Sequence, residues 1–561
     1  MRASVVAGVV VGSLTLLGCG GGSAVPADDG SGGGDGGCSL SGGPSFLDGV
    51  RCVTPGVPPE LCGQGFSHDG DGGCVAELPA ESCAPGTMAL PGEAACRAVV
   101  PCGTGPWGDI PIETGTTLFV DAGNVPPGTG TQSDPFVSVS DAFAIATDGA
   151  LIAVAAGIYT ETLTVIGKSV RVWGVCPELV TVTGTMATPI ASVLVREGAS
   201  GTEIRNLSIT GSAPTATALA VSGAEDVVID GVWVHDALGL GVEVVNALGP
   251  TSAFITNSLV ELNQDSGVTI FASTVSLTDV VIRDNGSAPS LPTRERGIDI
   301  ETDIDLGLGA DVEVRHAVIE QHGDHGIYAS GAQLSIDSTL VRDVDARASD
   351  DLFGRGIGIQ LDIPTGLGAT GTITGTVIER TTDSGLFVYA ANASASGLVV
   401  RDTKPRPDQN FGRGLTVRQG ETAAERAIFT LTSSLVDRVF DVGVFVSGSD
   451  VTVEGLWVRE VAWRPADELF GDGMISRSAA TASLSDSLIE DVARAGFGAF
   501  EASATLRSSR IGCSAFPITT EDAMLTAGGN VLCACPVEAA TEEDVCKAVQ
   551  AGIEPPELPD P

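Results

Sequence analysis

Basic residues are scarce in this sequence. Lys and Arg total 29 against 71 Asp and Glu in 561 residues, a formal net charge of −42. Such a surface repels nucleic acid and anionic lipid headgroups, so neither is an expected partner. The excess charge suits solubility. Aromatic residues make up only 4%. No P-loop, GxSxG, HExxH or Rossmann segment stands out, which removes the commonest signatures of nucleotide, hydrolase and zinc-protease chemistry. The apolar run Val5–Leu17 is too short for a comfortable membrane span. Glycine (74 residues), cysteine (13) and apolar residues (43%) are plentiful.

From Val275 to Phe500 one short pattern recurs: an apolar residue, a β-branched residue, then a charge. The β-branched column is Ile282, Ile319, Val341, Ile378, Val400, Val436, Val458 and Ile489. The next column is Arg283, Glu320, Arg342, Glu379, Arg401, Asp437, Arg459 and Glu490, and its sign flips at every step. Copies stacked in register in a parallel sheet lie ~4.8 Å apart. At that spacing like charges repel and alternating charges attract. Each copy therefore reads as one coil of a parallel β-solenoid, with the β-branched residues inward and the charges in an exposed ladder. Gly297, Gly326, Gly356, Gly385, Gly414, Gly443 and Gly473 recur every 29 or 30 residues, whereas the charges recur alternately at about 37 and 22. Both fit a two-coil unit in which alternate coils carry inserted loops. A lone coil cannot bury its apolar face, so many must stack.

Ahead of the solenoid, residues 1–19 read as a targeting segment. Leu16-Leu17-Gly18-Cys19 resembles the lipobox of bacterial lipoproteins. The resemblance implies that Cys19 is lipidated and becomes the new N-terminus. With Gly20 rather than aspartate after it, it implies an outer-membrane or cell-surface location. Residues 20–37 hold only Gly, Ser, Asp, Ala, Pro and Val and read as a flexible tether. Residues 38–108 form a Cys-rich module (Cys38, Cys52, Cys62, Cys74, Cys83, Cys96, Cys102) with few large apolar residues, so disulfides are expected to replace a core. The odd count leaves one partner elsewhere, and Cys176 is the isolated candidate; a bridge to it would fix the module over the first coils. Cys513, Cys533, Cys535 and Cys546 can pair among themselves in a C-terminal cap spanning 513–550. The Pro/Glu-rich tail, residues 551–561, is expected to be disordered.

Residues 117–184 contain FVDAG, GTGTQSDPF, a helix expected near Ser138–Thr147, and a glycine before LIAVAAGIYTETLTV. This resembles the entry of right-handed parallel β-helix proteins of the pectate-lyase-like superfamily, over roughly 115–512. The resemblance implies an all-β fold, a right-handed parallel β-helix with an N-terminal helical cap, preceded by the Cys-rich module and closed by the disulfide-held cap. A helix there covers the open apolar end of the first coil. The family's polygalacturonase-like NTD and GHG segments and the DPHD segment of its alginate epimerases are absent; HGDHGI (322–327) does not match them.

The strand after each repeat glycine is the candidate binding face, because the loops flank it. Tyr328, Phe387 and Phe445 follow the glycine by two residues and point outward in this reading, either as a sugar-binding strip or as a cluster under loop residues Phe353, Phe411 and Phe470. Arg296, Arg355 and Arg413 precede their glycines, Asp472 breaks that column, and Arg418 and Arg477 follow by four residues. An arginine beside carboxylates suits a polysaccharide lyase or epimerase, but these residues recur like scaffolding. No metal site is expected beyond weak Ca²⁺ binding by Asp299, Glu301, Asp303 and Asp305, taken as alternating along one strand. His322 and His325 read as turn polarity, and no cofactor is implied. The expectation is a monomeric, lipid-anchored, non-catalytic surface protein that binds a carbohydrate or a cell-surface partner. The alternative is a polysaccharide lyase, hydrolase or epimerase.

Overall fold

The periodic columns dictate a stack of coils, and the stack is what forms. The computed structural model describes residues 44–48, 51–185, 191–211, 217–286, 295–528, 531, 533 and 546–559. The targeting segment with Cys19, the tether 20–37, Cys38 and Cys535 lie outside them.

Each coil contributes three short strands, for example Asp311–Arg315, Val318–His322 and His325–Ser330. Like strands of successive coils pair in parallel. Among the described residues the third strands alone make a fourteen-stranded parallel sheet, from Leu163–Val165 to Phe516–Glu521. The fold is a right-handed parallel β-helix. Its inner column runs in register through Ile282, Ile319, Val341, Ile378, Val400, Val436, Val458, Ile489 and Ile511. All nine are buried to 0% exposure and belong to one continuous core.

The repeat glycines open the strand facing that column. A Cβ on Gly385 would stand 2.3 Å from Val400 Cγ1 and 2.9 Å from the Gly414 carbonyl; on Gly414 it would stand 2.5 Å from Val436 Cγ1. The two landmarks of the repeat therefore interlock: glycine is required where a β-branched side chain fills the coil interior.

The helix spans Val139–Ile145, within the expected stretch. Ser138 caps it, its Oγ accepting from the Asp141 N–H at 3.1 Å, and the Glu161 carboxylate accepts from the Val139 and Ser140 N–H groups. Val139 and Ala142 close the end of the core.

The other end departs from expectation. The coil pattern does not stop at Ile511. Phe516–Glu521 pairs with Ala495–Phe500, and Met524–Ala527 pairs with Ser503–Arg507, which adds another coil. Its strands FPITTE and MLTA lack the apolar, β-branched, charged pattern of the repeat, which hides them from a search for it. Cys533 bridges Cys546, and Val531 joins the main core. Cys513 is disulfide-bonded as well.

The Cys-rich module corrects the expectation more deeply. Cys62–Cys74, Cys83–Cys96 and Cys102–Cys176 are bridged, the last as the odd count suggested, and Cys52 is also disulfide-bonded. The module is not confined to the first coils. It runs along one flank of the β-helix, from the late coils back to the early ones. Arg51 pairs with Asp486, the Gly56 N–H donates to Gly455 O, the Gln64 N–H to Ser338 Oγ, and the Gly86 N–H to Glu261. Its apolar residues Phe46, Val53, Val57, Met88, Leu90 and Val99 cover the outward column Leu259, Val281, Val318, Leu340, Val377, Val399, Leu435, Trp457 and Leu488. Gly72 lies against the ring of Trp457 and Gly86 against that of Trp233, both at positive φ.

Beneath this cover runs the charge ladder. Glu261–Arg283, Glu320–Arg342, Glu379–Arg401 and Asp437–Arg459 each form an ion pair of 2.5–2.9 Å between neighbouring coils. The following column pairs across the alternate step: Arg380 with Asp343 and Arg438 with Asp402, each at 2.7 Å. The ladder was expected to be exposed. Instead Glu261 and Arg283 are buried, and Arg459 also reaches Asp71 of the module at 2.8 Å.

Candidate binding face

The third strands carry the residues singled out by sequence, and the loops of alternate coils fold over them. Phe387 and Phe445 do point away from the main core, into separate small clusters, but both have 0% exposure. An exposed aromatic strip is thereby excluded for them. Tyr328 is half-buried.

Each arginine that precedes a repeat glycine is held between a ring on the neighbouring strand of the next coil and, where its own insert carries one, a ring from the loop. The Arg355 guanidinium lies 3.6 Å from the Phe387 ring centroid and 4.8 Å from that of Phe353. Arg413 lies 4.1 Å from Phe445 and 4.9 Å from Phe411. Arg296 lies 3.7 Å over Tyr328. A guanidinium stacks on such faces because it is planar and weakly hydrated.

An aspartate from the next coil neutralises each one: Arg296 Nε donates to Asp324 at 2.7 Å, Arg355 Nε to Asp383 at 2.8 Å, and Arg413 Nε to Asp441 at 2.5 Å. These aspartates sit at positive φ (50°, 60° and 59°), which Asp tolerates better than most residues. In sequence they are marked by a D-x-G signal at 324–326, 383–385 and 441–443 that is absent from the candidate residues above. At Asp472, where the arginine column breaks, the rung is reversed. Arg494 of the next coil donates Nε to Asp472 at 2.8 Å and stacks 4.7 Å from the loop ring of Phe470.

Burial sets the protonation of this face. It would push the Asp324 carboxyl up, but His325 and Arg296 together hold it well below the usual carboxylate range. Burial lowers His325, and Arg296 and Arg355 nearby add to that. His322 is fully enclosed, its Nε2 3.1 Å from the Ile282 carbonyl oxygen, and burial pushes its pKa down to about 4. These two histidines are interior groups rather than polar turn residues. The four acidic residues proposed for Ca²⁺ do not share one strand: the strand is Ile298–Glu301, Asp299 is buried against Arg296 at 2.6 Å, and Asp303 organises the following turn by accepting from the Asp305 and Leu306 N–H groups.

Arg418 and Arg477 stand at the outer edge of the same sheet, where the C-terminal segment crosses them. The segment expected to be disordered is laid over the last coils. Val549 pairs with Thr519, Ile553 packs with Val442, Phe445, Ile475 and Phe500, and arginines hold its main-chain carbonyls. The late-coil end of the face, around Arg413, Arg418, Phe445 and Arg477, is covered by this chain's own residues from 549 to 559.

An open cleft of about 610 Å³ lies at the corner beside the loops. Its walls include Val439, Phe440, Val461 and Ala462, and its rim carries Asp402, Lys404, Glu460 and Asp491. Arg438 on the rim is tied to Asp402 and Asp437.

No family model matches the chain, and no curated protein matches it. Among solved structures it is similar to pectate lyase Pel9A at 15% identity, covering 64% of this chain and 82% of that one, with a TM-score of 0.36. It is similar to the Dettilon tailspike protein at 12% identity, covering 62% and 66%, with a TM-score of 0.43. It is also similar to the catalytic domain of a GH87 α-1,3-glucanase at 12% identity, covering 77% and 70%, with a TM-score of 0.34. The architecture rests on the strand pairing itself.

Proposed function

We propose that this chain is a lipid-anchored, non-catalytic surface protein of the bacterial cell envelope, a braced β-helix that engages a carbohydrate or another surface component. One observation carries the reading. The arginines that first suggest chemistry are three near copies of one arrangement, ring, guanidinium and next-coil aspartate, with a fourth of reversed polarity. Catalysis needs one unusual place, whereas a motif repeated down a rod is bracing. The lipobox-like Leu16–Cys19 supports the anchor.

The corner cleft favours a second reading, a polysaccharide-active enzyme, because Asp402, Glu460 and Asp491 bring three carboxylates to one apolar-walled opening. A panel of acidic and neutral polysaccharides separates the two. Retention of a polymer without new reducing ends or unsaturated products is expected. Turnover that disappears in Glu460→Gln or Asp491→Asn replaces the first reading with the second. For the anchor, Cys19→Ser is expected to move the protein from the membrane fraction to the soluble one.

A further inference from the structure

The C-terminal segment crosses the coils in a way that random adhesion of a tail does not explain. Four arginines, two of them at the ends of the strand Arg413–Arg418 and the others on two later coils, each donate to a main-chain carbonyl of the segment. Arg494 Nη1 donates to Glu554 O at 3.0 Å and Arg413 Nη2 to Glu557 O at 2.7 Å, while Arg477 donates to Pro556 O and Arg418 to Pro559 O. Pro556 and Pro559 are buried, while Glu554, Glu557 and Leu558 face solvent. Ile553 supplies an apolar anchor in the pocket of Val442, Phe445, Ile475 and Phe500.

The sequence of the segment explains the donors. Proline-rich chain favours the extended polyproline conformation, which has no internal hydrogen bonds and leaves its carbonyls free. A groove that reads such a chain needs donors spaced along it and apolar contacts for alternate residues, which is what the arginines of three coils beside the Ile553 pocket provide. Arg413 and Arg494 are paired with Asp441 and Asp472, but two of the row's arginines lie side by side. Arg477 is half-buried beside Arg413, and both burial and that neighbour lower its pKa, so an acidic segment suits this end of the row. Arg464 adds a contact to the Glu557 carboxylate at 3.8 Å.

We propose that the trough formed by Arg413, Arg418, Arg477, Arg494 and the Ile553 pocket is a recognition site for an extended, proline-rich acidic peptide, and that residues 551–559 occupy it in cis. The segment is a strap over a built site, and its removal leaves a site able to take the same peptide in trans.

The test uses the chain ended after Gln550 and a fluorescent peptide of sequence AGIEPPELPDP, followed by anisotropy. Saturable binding to the shortened chain is expected, at least tenfold weaker on the full chain, where the strap competes. Arg418→Ala and Arg477→Ala in the shortened chain are each expected to weaken it tenfold or more. No saturable binding, or equal binding of a scrambled peptide or of an acidic oligosaccharide of the same charge, overturns the proposal. If the shortened chain does not fold, a protease site placed at Gln550–Ala551 and cut in the folded full chain gives the same complex. The cut strap is then expected to stay bound through gel filtration and to exchange with excess peptide; its immediate loss overturns the proposal.

Discussion

Glu261 and Arg283 form a rung between neighbouring coils that also holds the Cys-rich module in place. Arg283 donates Nε and Nη2 to Glu261 Oε2 at 2.8 and 2.6 Å, and its Nη2 reaches the Thr87 carbonyl at 2.9 Å. Glu261 Oε1 meanwhile accepts from the Gly86 N–H at 2.7 Å and from Trp233 Nε1 at 3.0 Å. The pair is buried, so its loss is not the loss of a surface salt bridge. Glu261→Gln strands the Arg283 charge beneath the module, and a cost of roughly 3 kcal/mol is expected. Urea unfolding of the two single variants and the double variant reads it; a cost under about 1 kcal/mol would place the pair among exposed ones.

The Cys102–Cys176 bridge ties the end of the module to the first coils across 74 residues of sequence. Cys102→Ser with Cys176→Ser is expected to lower stability by about 2–4 kcal/mol. The module lies on the flank through many other contacts, so limited proteolysis is expected to cut first near residue 102 and not throughout 44–100. Uniform cleavage would mean that the bridge alone holds it.

Gly385→Ala places a methyl group against Val400 and the next coil. A destabilisation of about 1–3 kcal/mol is expected, as for other overpacked cores. Thermal melts of Gly385→Ala with and without Val400→Ala check the mechanism, since the second change removes the clashing Cγ1. Failure of Val400→Ala to restore any stability would locate the strain at the Gly414 carbonyl instead.

His322 makes stability depend on pH. Its folded pKa lies near 4 and its ordinary value is 6.5. Between these values the unfolded chain takes up a proton that the folded chain refuses, so stability falls as pH drops from about 6.5 toward 4, by at most about 1.4 kcal/mol per pH unit. His322→Gln is expected to flatten that slope. Denaturant midpoints at pH 7, 6, 5 and 4 for both proteins measure the difference, and parallel curves would refute it.

Much of this was legible in local sequence. The columns at Ile319, Glu320 and Gly326 report contacts between residues 22 to 37 positions apart, and they repeat, so register and charge pairing could be read from spacing alone. The aspartates 324, 383 and 441 were legible too, through D-x-G, but look like turn residues until their arginines are placed beside them. The paths of the module and the strap were not legible, because they depend on main-chain groups: Gly56 N–H on Gly455 O, and arginines on the carbonyls of Glu554 and Glu557. Such contacts leave no mark on residue type. One hint was present. Val281, Val318, Leu340 and Val399 are apolar at outward positions, and an apolar outward column facing water requires a cover.

The module also sets an order of events in time. Arg51 meets Asp486 across 435 residues of chain. Residues 51–56 thus lack their docking surface until the late coils exist, and pairings so distant in sequence form slowly. Residues 51–56 therefore seat only after the coils around Gly455 and Asp486 have wound, later than residues 86–97, whose partners Asn257 and Glu261 belong to early coils.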